Sequence, residues 1–284
     1  MYFHPSTPLL PIDDQSTPRV SNHLSSVWHC QNKSTTPIPN MATRFPPRFT
    51  SLLHHTSYPT ISPLRLALSA SGKTIVISGG GTGIGSSIAT SFARAGASNI
   101  GIFGRNETSL VTSAAAVRTV ALESTKVAYT VADQVDAVAT NAAFETLAKE
   151  LGPIDVFIAN AAYLPTPAPA ATQDPAAQAD FWRAFEVNVK GLQHACSAFL
   201  ANAGERPMLI NVSAGFVHLP TAAQVPGLGA YVASKAAADR YVQALAKERE
   251  ELHVVSVHPG RVQTEMAARR GVKAPDDGEY ADKM

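Results

Sequence analysis

The feature that most constrains this chain is a glycine run, Ser78-Gly79-Gly80-Gly81-Thr82-Gly83-Ile84-Gly85, set between a short β-branched stretch and a helical pattern. Thr74 to Ser78 reads as a strand that enters the turn directly, and Ile84, Ile88 and Phe92 fall on one side of the helix that leaves it. Glycines at such a junction let the backbone approach a ligand closely and adopt positive φ. The free N–H groups and partial positive charge of the helix amino terminus favour an anion. A strand, a glycine turn and a helix in that order form a cradle for a pyrophosphate. Ser78, Gly79, Gly81, Thr82, Gly83, Ile84 and Gly85 are its candidate residues.

Beyond the turn, β-branched runs alternate with alanine-rich helical stretches, the pattern of a parallel sheet covered by helices on both faces. Strands are expected at Thr74 to Ser78, Asn99 to Phe103, Val127 to Ala132, Val156 to Ala159, Met208 to Val212 and Val254 to His258. Helices are expected at Ile84 to Arg94, Thr108 to Leu122, Ala137 to Leu151, Phe181 to Asn202 and Tyr231 to Glu250. Tyr163 to Ala177 has four prolines and reads as a loop at the carboxyl edge of the sheet. The fold class that follows is α/β, a doubly wound parallel sheet (Rossmann fold) in one domain, residues 71–284.

Residues 1–70 differ in kind. They are rich in proline, serine, threonine and histidine, show no apolar period, and read as a disordered leader or arm. Arg44, Arg48 and Arg65 with no acid between them would also suit a mitochondrial presequence if translation began at Met41, so that destination stays open beside the cytoplasm. Arg19, Lys33, Arg44, Arg48 and Arg65 outnumber Asp13 and Asp14, which leaves the rest of the chain slightly acidic and without the basic footprint of a nucleic-acid partner. No apolar run is long enough to span a membrane, so a soluble protein with no membrane partner is expected. Cys30 and Cys196 are the only cysteines, which argues against a disulfide framework or a cysteine metal site.

The spacing of Gly79, Gly83 and Gly85 resembles the Thr-Gly-x-x-x-Gly-x-Gly pattern of short-chain dehydrogenases and reductases, with Ser78 in place of the threonine. The resemblance covers Gly72 to about Met266, and Tyr58-Pro59-Thr60-Ile61-Ser62-Pro63 looks like the amino-terminal arm of fungal members. It implies a nicotinamide dinucleotide and a small-molecule substrate. The second strand ends Phe103-Gly104-Arg105-Asn106. With no acid there to bind the ribose of NAD, and with Arg105 able to pair with a 2′-phosphate, NADP is expected and NAD stays as the alternative. The resemblance further implies that Asp133 and Gln134 flank the adenine end and that Asn160 and Ala161 line the ribose face. Pro259-Gly260-Arg261-Val262-Gln263-Thr264 matches the family's Pro-Gly-x-Val-x-Thr, which implies that Pro259 and Gly260 belong to the cofactor site and that Val262 and Thr264 hold the nicotinamide carboxamide.

Tyr231-Val232-Ala233-Ser234-Lys235 puts a phenol and an ammonium one helical turn apart. A tyrosine titrates near pH 10 by itself, and a nearby positive charge favours its phenolate. Tyr231 is thus the expected proton donor and acceptor, and Lys235 the group that tunes it. Asn188 matches the family asparagine implied to hold a water linking the lysine to solvent.

Two departures stand out. Strand five runs Asn211-Val212-Ser213-Ala214-Gly215, so alanine occupies the place of the family's catalytic serine; Ser213 and His218 are candidate substitutes. Only Glu265 to Met284 follows the carboxamide segment, so the last helix and strand are expected to be lacking and strand six to be an edge. The expected activity is hydride transfer between NADP(H) and a carbonyl or alcohol of a small, fairly apolar substrate. A degenerate, weakly active or inactive NAD(P)-binding protein is the alternative. A homodimer through the long helices on either side of strand five is a further expectation.

Overall fold

The computed structural model describes residues 58–217, 226–260, 262 and 264–269. Most of the leader, His218, Arg261 and Gln263 therefore lie outside the described residues, as does the segment after Arg269.

Six strands pair in parallel: β1 (Thr74–Ser78), β2 (Asn99–Gly104), β3 (Lys126–Val131), β4 (Ile154–Ala159), β5 (Ala203–Val212) and β6 (His253–Val257). Their spatial order is β3-β2-β1-β4-β5-β6, so the chain starts in the middle of the sheet, winds to one side and then to the other. The central strand β1 and the middle of β2 are buried on both faces, as parallel strands covered by helices must be. Ile75 and Ile77 of β1 point to one face with Ile100, Ile102 and Leu110; Val76 points to the other with Phe144, Phe157 and Phe199. Helices α1 (Gly83–Arg94) and α2 (Glu107–Val120) cover the first face. Helices α3 (Ala137–Leu151), α5 (Leu192–Ala201) and α6 (Gly229–Glu248) cover the second.

Helix starts follow local chemistry. Asn106 Oδ1 accepts the Ser109 N–H at 2.9 Å to cap α2, and Asp136 Oδ1 accepts the N–H groups of Val138 (2.9 Å) and Ala139 (3.0 Å) to cap α3. The sequence predicts one helix over Phe181 to Asn202, and here the structure differs. Helix α4 (Pro175–Phe185) begins earlier, inside the predicted loop, because Asp174 caps it and Pro175 suits its first turn. A π-turn (Glu186–Gly191) then separates α4 from α5. That turn rolls Asn188 inward, where Oδ1 accepts the Tyr163 N–H at 2.7 Å and Nδ2 donates to the Tyr163 carbonyl at 2.9 Å. Turns of this kind recur at functional sites.

Strand β6 pairs only with β5 in the described sheet, and Val257 is 38% exposed. Before β1 come two single turns of 3-10 helix, Pro59–Ile61 and Leu66–Leu68.

Phe157 is the centre of one core. Its ring lies 5.1 Å from that of Phe144, 5.5 Å from Phe199 and 6.5 Å from Phe103. Phe157→Ala should lower unfolding free energy by about 3–5 kcal/mol in urea titrations, as expected for a fully buried phenylalanine. A loss below about 1 kcal/mol would contradict this packing.

Candidate active site

The switch in winding direction lies between β1 and β4, where open α/β sheets form a crevice beyond the strand ends. The chain keeps this crevice open by satisfying the backbone at its base. Ser78 Oγ accepts the N–H groups of Asn160 and Ala161, each at 3.0 Å, and donates to the Ile158 carbonyl at 3.4 Å. Asn160 Nδ2 returns bonds to the carbonyls of Ser78 (3.0 Å) and Gly79 (3.3 Å). Ser78 therefore braces the two strand ends and lies behind the cleft wall.

Above this junction is a cleft of about 860 Å³, within the range of cofactor sites. Gly79, Gly81, Thr82, Gly83 and Ile84 line one side. Gly79 has φ +64°, and a Cβ there would meet Ala161 Cα at 3.0 Å. Gly85 does not line the cleft; a Cβ on it would sit 2.2 Å from the Gly79 carbonyl oxygen, so its absent side chain lets α1 pack onto the turn. Thr82 provides no side-chain cap for α1, which leaves the first N–H groups of that helix to a ligand.

Gly104, Arg105, Asp133 and Gln134 form the next part of the wall. The Arg105 guanidinium is 3.9 Å from Asp133 Oδ2 and 61% exposed. A second guanidinium reaches the same oxygen, that of Arg183 on α4, at 3.5 Å. Gln134 is anchored by bonds from Nε2 to the carbonyls of Val187 (2.9 Å) and Ala161 (3.3 Å). On the far side are Pro259, Gly260, Val262 and Thr264, with Thr264 facing Gly83 across the opening.

Tyr231 and Lys235 line the same cleft from the first turns of α6. Ala214, 6% exposed, lies in its wall beside Ser213. The Ser213 hydroxyl turns away and donates to Asp239 Oδ2 at 2.8 Å, as the alternation of a strand end requires. Asn188 stays behind the wall, its Nδ2 also donating to Ser234 Oγ at 2.9 Å.

The family model described as short chain dehydrogenase matches residues 73–274. The chain belongs to the short-chain dehydrogenase/reductase family. These are oxidoreductases on a fold that binds NAD(P) and small-molecule substrates. A short chain dehydrogenase/reductase of Aspergillus aculeatus is 31% identical over 242 residues, 83% of this chain and 78% of that one. A short chain dehydrogenase of Pseudocercospora fijiensis is 32% identical over 225 residues, 78% of this chain and 68% of that one. Among solved structures, an alcohol dehydrogenase from the archaeon Thermococcus sibiricus, complexed with 5-hydroxy-NADP, is 25% identical. It matches with a TM-score of 0.61 over 72% of this chain and 81% of that one. No helix among the described residues is long and apolar enough to cross a membrane.

In this short-chain dehydrogenase, burial dominates the charge balance of the pair on α6. It pushes the Tyr231 phenol up to about 12 and the Lys235 ammonium down to about 8. Lys235 Nζ donates to the Val212 carbonyl at 2.7 Å. With the protein groups alone, the tyrosine is a neutral phenol at pH 7, and burial is the cause of its shift.

Three residues at or behind the cleft carry no signal in the sequence. Arg183 lay within an expected helix with nothing to signal its reach to Asp133. Asp239 reads as an ordinary helix-surface acid but is 2% exposed. His258 reads only as a strand end, yet its ring packs where a Cβ of Gly215 would lie, 2.6 Å from Nε2, and it lines the cleft beside Ala214.

Gly85→Ala should cost about 1–3 kcal/mol of stability by forcing α1 off the turn. Unchanged denaturation would show that the turn and helix are not in close contact.

Proposed function

We propose that this protein transfers hydride between NADP(H) and a carbonyl or alcohol of a small, fairly apolar substrate. The observation that carries the proposal is the convergence of the Tyr231–Lys235 pair and the glycine turn on one cleft. The residues present suit a dinucleotide phosphate: uncapped α1 amides, a turn in which a Cβ on Gly80 or Gly85 would collide with its neighbours, and a guanidinium at the end of β2. Gly104 carries no side chain at the end of β2, and the Asp133 carboxylate in the same wall lies against two guanidiniums, those of Arg105 and Arg183. Arg105 then favours NADP over NAD.

Bound nicotinamide supplies the hydride donor or acceptor. The protein does the rest. In reduction, Tyr231 gives its proton to the developing alkoxide, and in oxidation it receives one. Lys235 provides the positive charge that eases loss of the phenolic proton, and Asn188 fixes the loop at Tyr163 and the helix at Ser234. Leu164, Leu228 and Val232 pack together with Phe216 and Tyr231, which supports an apolar substrate. A reducing compartment such as the cytoplasm suits the buried free thiol of Cys196.

The second reading, a cofactor-binding protein of low turnover, is favoured by Ala214. Loss of one donor to a developing oxyanion costs about 10²–10³ in rate.

Purified protein should oxidise NADPH over a panel of apolar carbonyls, and Tyr231→Phe should cut turnover by about 10²–10⁴ while leaving NADPH binding in place. Tyr231→Phe turnover equal to wild type would remove the assignment. Ala214→Ser should raise turnover by about 10–10³; if wild type binds NADPH without turnover and this variant does not revive it, the second reading prevails. Arg105→Ala should lower the preference for NADPH over NADH by about tenfold, measured by nucleotide fluorescence.

A further inference from the structure

Helix α6 grips strand five at three successive residues. Lys235 Nζ takes the Val212 carbonyl at 2.7 Å. One turn later the Asp239 carboxylate accepts from Asn211 Nδ2 at 2.7 Å and from Ser213 Oγ at 2.8 Å. Ser256 Oγ on β6 adds a longer bond to Asp239 Oδ1 at 3.3 Å. An acid this deeply buried is costly unless its oxygens are occupied, and bonds to a charged acceptor are the stronger kind. The chain has put an acid where an apolar residue would pack without penalty. What it gains is a fixed strand end: Asn211 and Ser213 are held on either side of Val212, and Ala214 is the next residue presented to the cleft.

We propose that Asp239 is a positioning residue for the reaction, holding the end of strand five beside Tyr231 and acting as the counter-charge that keeps Lys235 an ammonium. The proposal rests on the reading of Tyr231 and Lys235 as the proton-handling pair. Each element packed around α6 carries its own titratable or polar groups. Its own helix brings Tyr231 and Asp239, and strand five brings the Val212 carbonyl. The π-turn brings the neutral amide of Asn188 through Ser234, while its Glu186 and Lys190 are exposed. Helix α4 brings Asp180, bonded to Tyr163 and to the Thr166 N–H, and Arg183, paired with Asp133 and Glu186. β6 brings Ser256, with His258 beyond its end against Gly215. Burial lowers Lys235, and Asp239 is the charge that opposes it.

The sign of the effect follows. Without the Asp239 charge, Lys235 should lose its proton at lower pH, so the alkaline limb of turnover should move down. The direct test is NMR titration of Lys235 in protein labelled at lysine Cε, with thermal melts as the control for folding. In Asp239→Asn the Lys235 midpoint should fall by about one pH unit, and the alkaline limb of turnover should fall with it. In Ser213→Ala, which keeps the charge, the midpoint should stay in place. A folded Asp239→Asn protein with the wild-type midpoint overturns the proposal. Should that variant fail to fold, the wild-type Lys235 signal decides: an ammonium still protonated at pH 7 supports the proposal, and a neutral amine at that pH overturns it. The titration needs neither cofactor nor substrate, so it can fail while hydride transfer stands, and the reverse.

Discussion

Parallel strands that part at their carboxyl ends leave backbone groups with no neighbour, and the geometry of this protein depends on how β1 and β4 solve that problem. Ser78 accepts two backbone N–H groups from the end of β4, and the Asn160 amide returns bonds to two carbonyls at the end of β1. A buried polar group left unpaired costs about 1–3 kcal/mol, so the reciprocal set fixes the separation of the two ends. Because they are fixed, the glycine turn has a floor to rest on, and Gly85 can bring α1 against it. Every later feature of the cleft is measured from that junction: the wall at Arg105 and Asp133, and the α6 residues opposite.

The cleft sets burial against charge. Its walls are apolar enough to hold Tyr231 neutral and to draw protons off Lys235. A proton donor benefits from the first effect, since a neutral phenol at pH 7 has a proton to give. It is harmed by the second, since a lysine without its charge cannot stabilise the phenolate left behind. Asp239 resolves the conflict from behind the wall. It cannot touch substrate, but its charge is one turn from the ammonium and its oxygens fix the strand that carries Ala214. The serine hydroxyl nearest the missing donor is committed to that task, so Ser213 is no substitute for it. His258, against Gly215, is the polar ring in that corner of the cleft.

Much of this was legible in the sequence, for reasons that differ by element. The strands were readable because both faces are buried, which demands unbroken β-branched runs; Thr74 to Ser78 and Asn99 to Phe103 lie within a residue of the observed bounds. β5 extends further back than expected, to Ala203, because Pro207 ends the apolar run without ending the strand. The glycine spacing and the tyrosine and lysine of α6 were readable because they are local. Asn188 could be picked out, but not its π-turn: the residues around it keep a helical pattern, and only long-range bonds to Tyr163 and Ser234 favour the extra residue. Arg183 and Asp239 were not legible for the same reason. Their partners are brought close by the sheet order, and nothing in the spacing of charges along the chain records it.

The account stands on a dinucleotide whose phosphates rest on the glycine turn and the start of α1. Backbone hydrogen exchange, followed by mass spectrometry with and without NADPH, tests this at the residues concerned. NADPH should slow exchange in peptides covering Gly79 to Ile88, with further protection at Asn160 to Leu164 and around Tyr231, and little change across α3. Exchange over the glycine turn that is the same at saturating nucleotide as in its absence would contradict it.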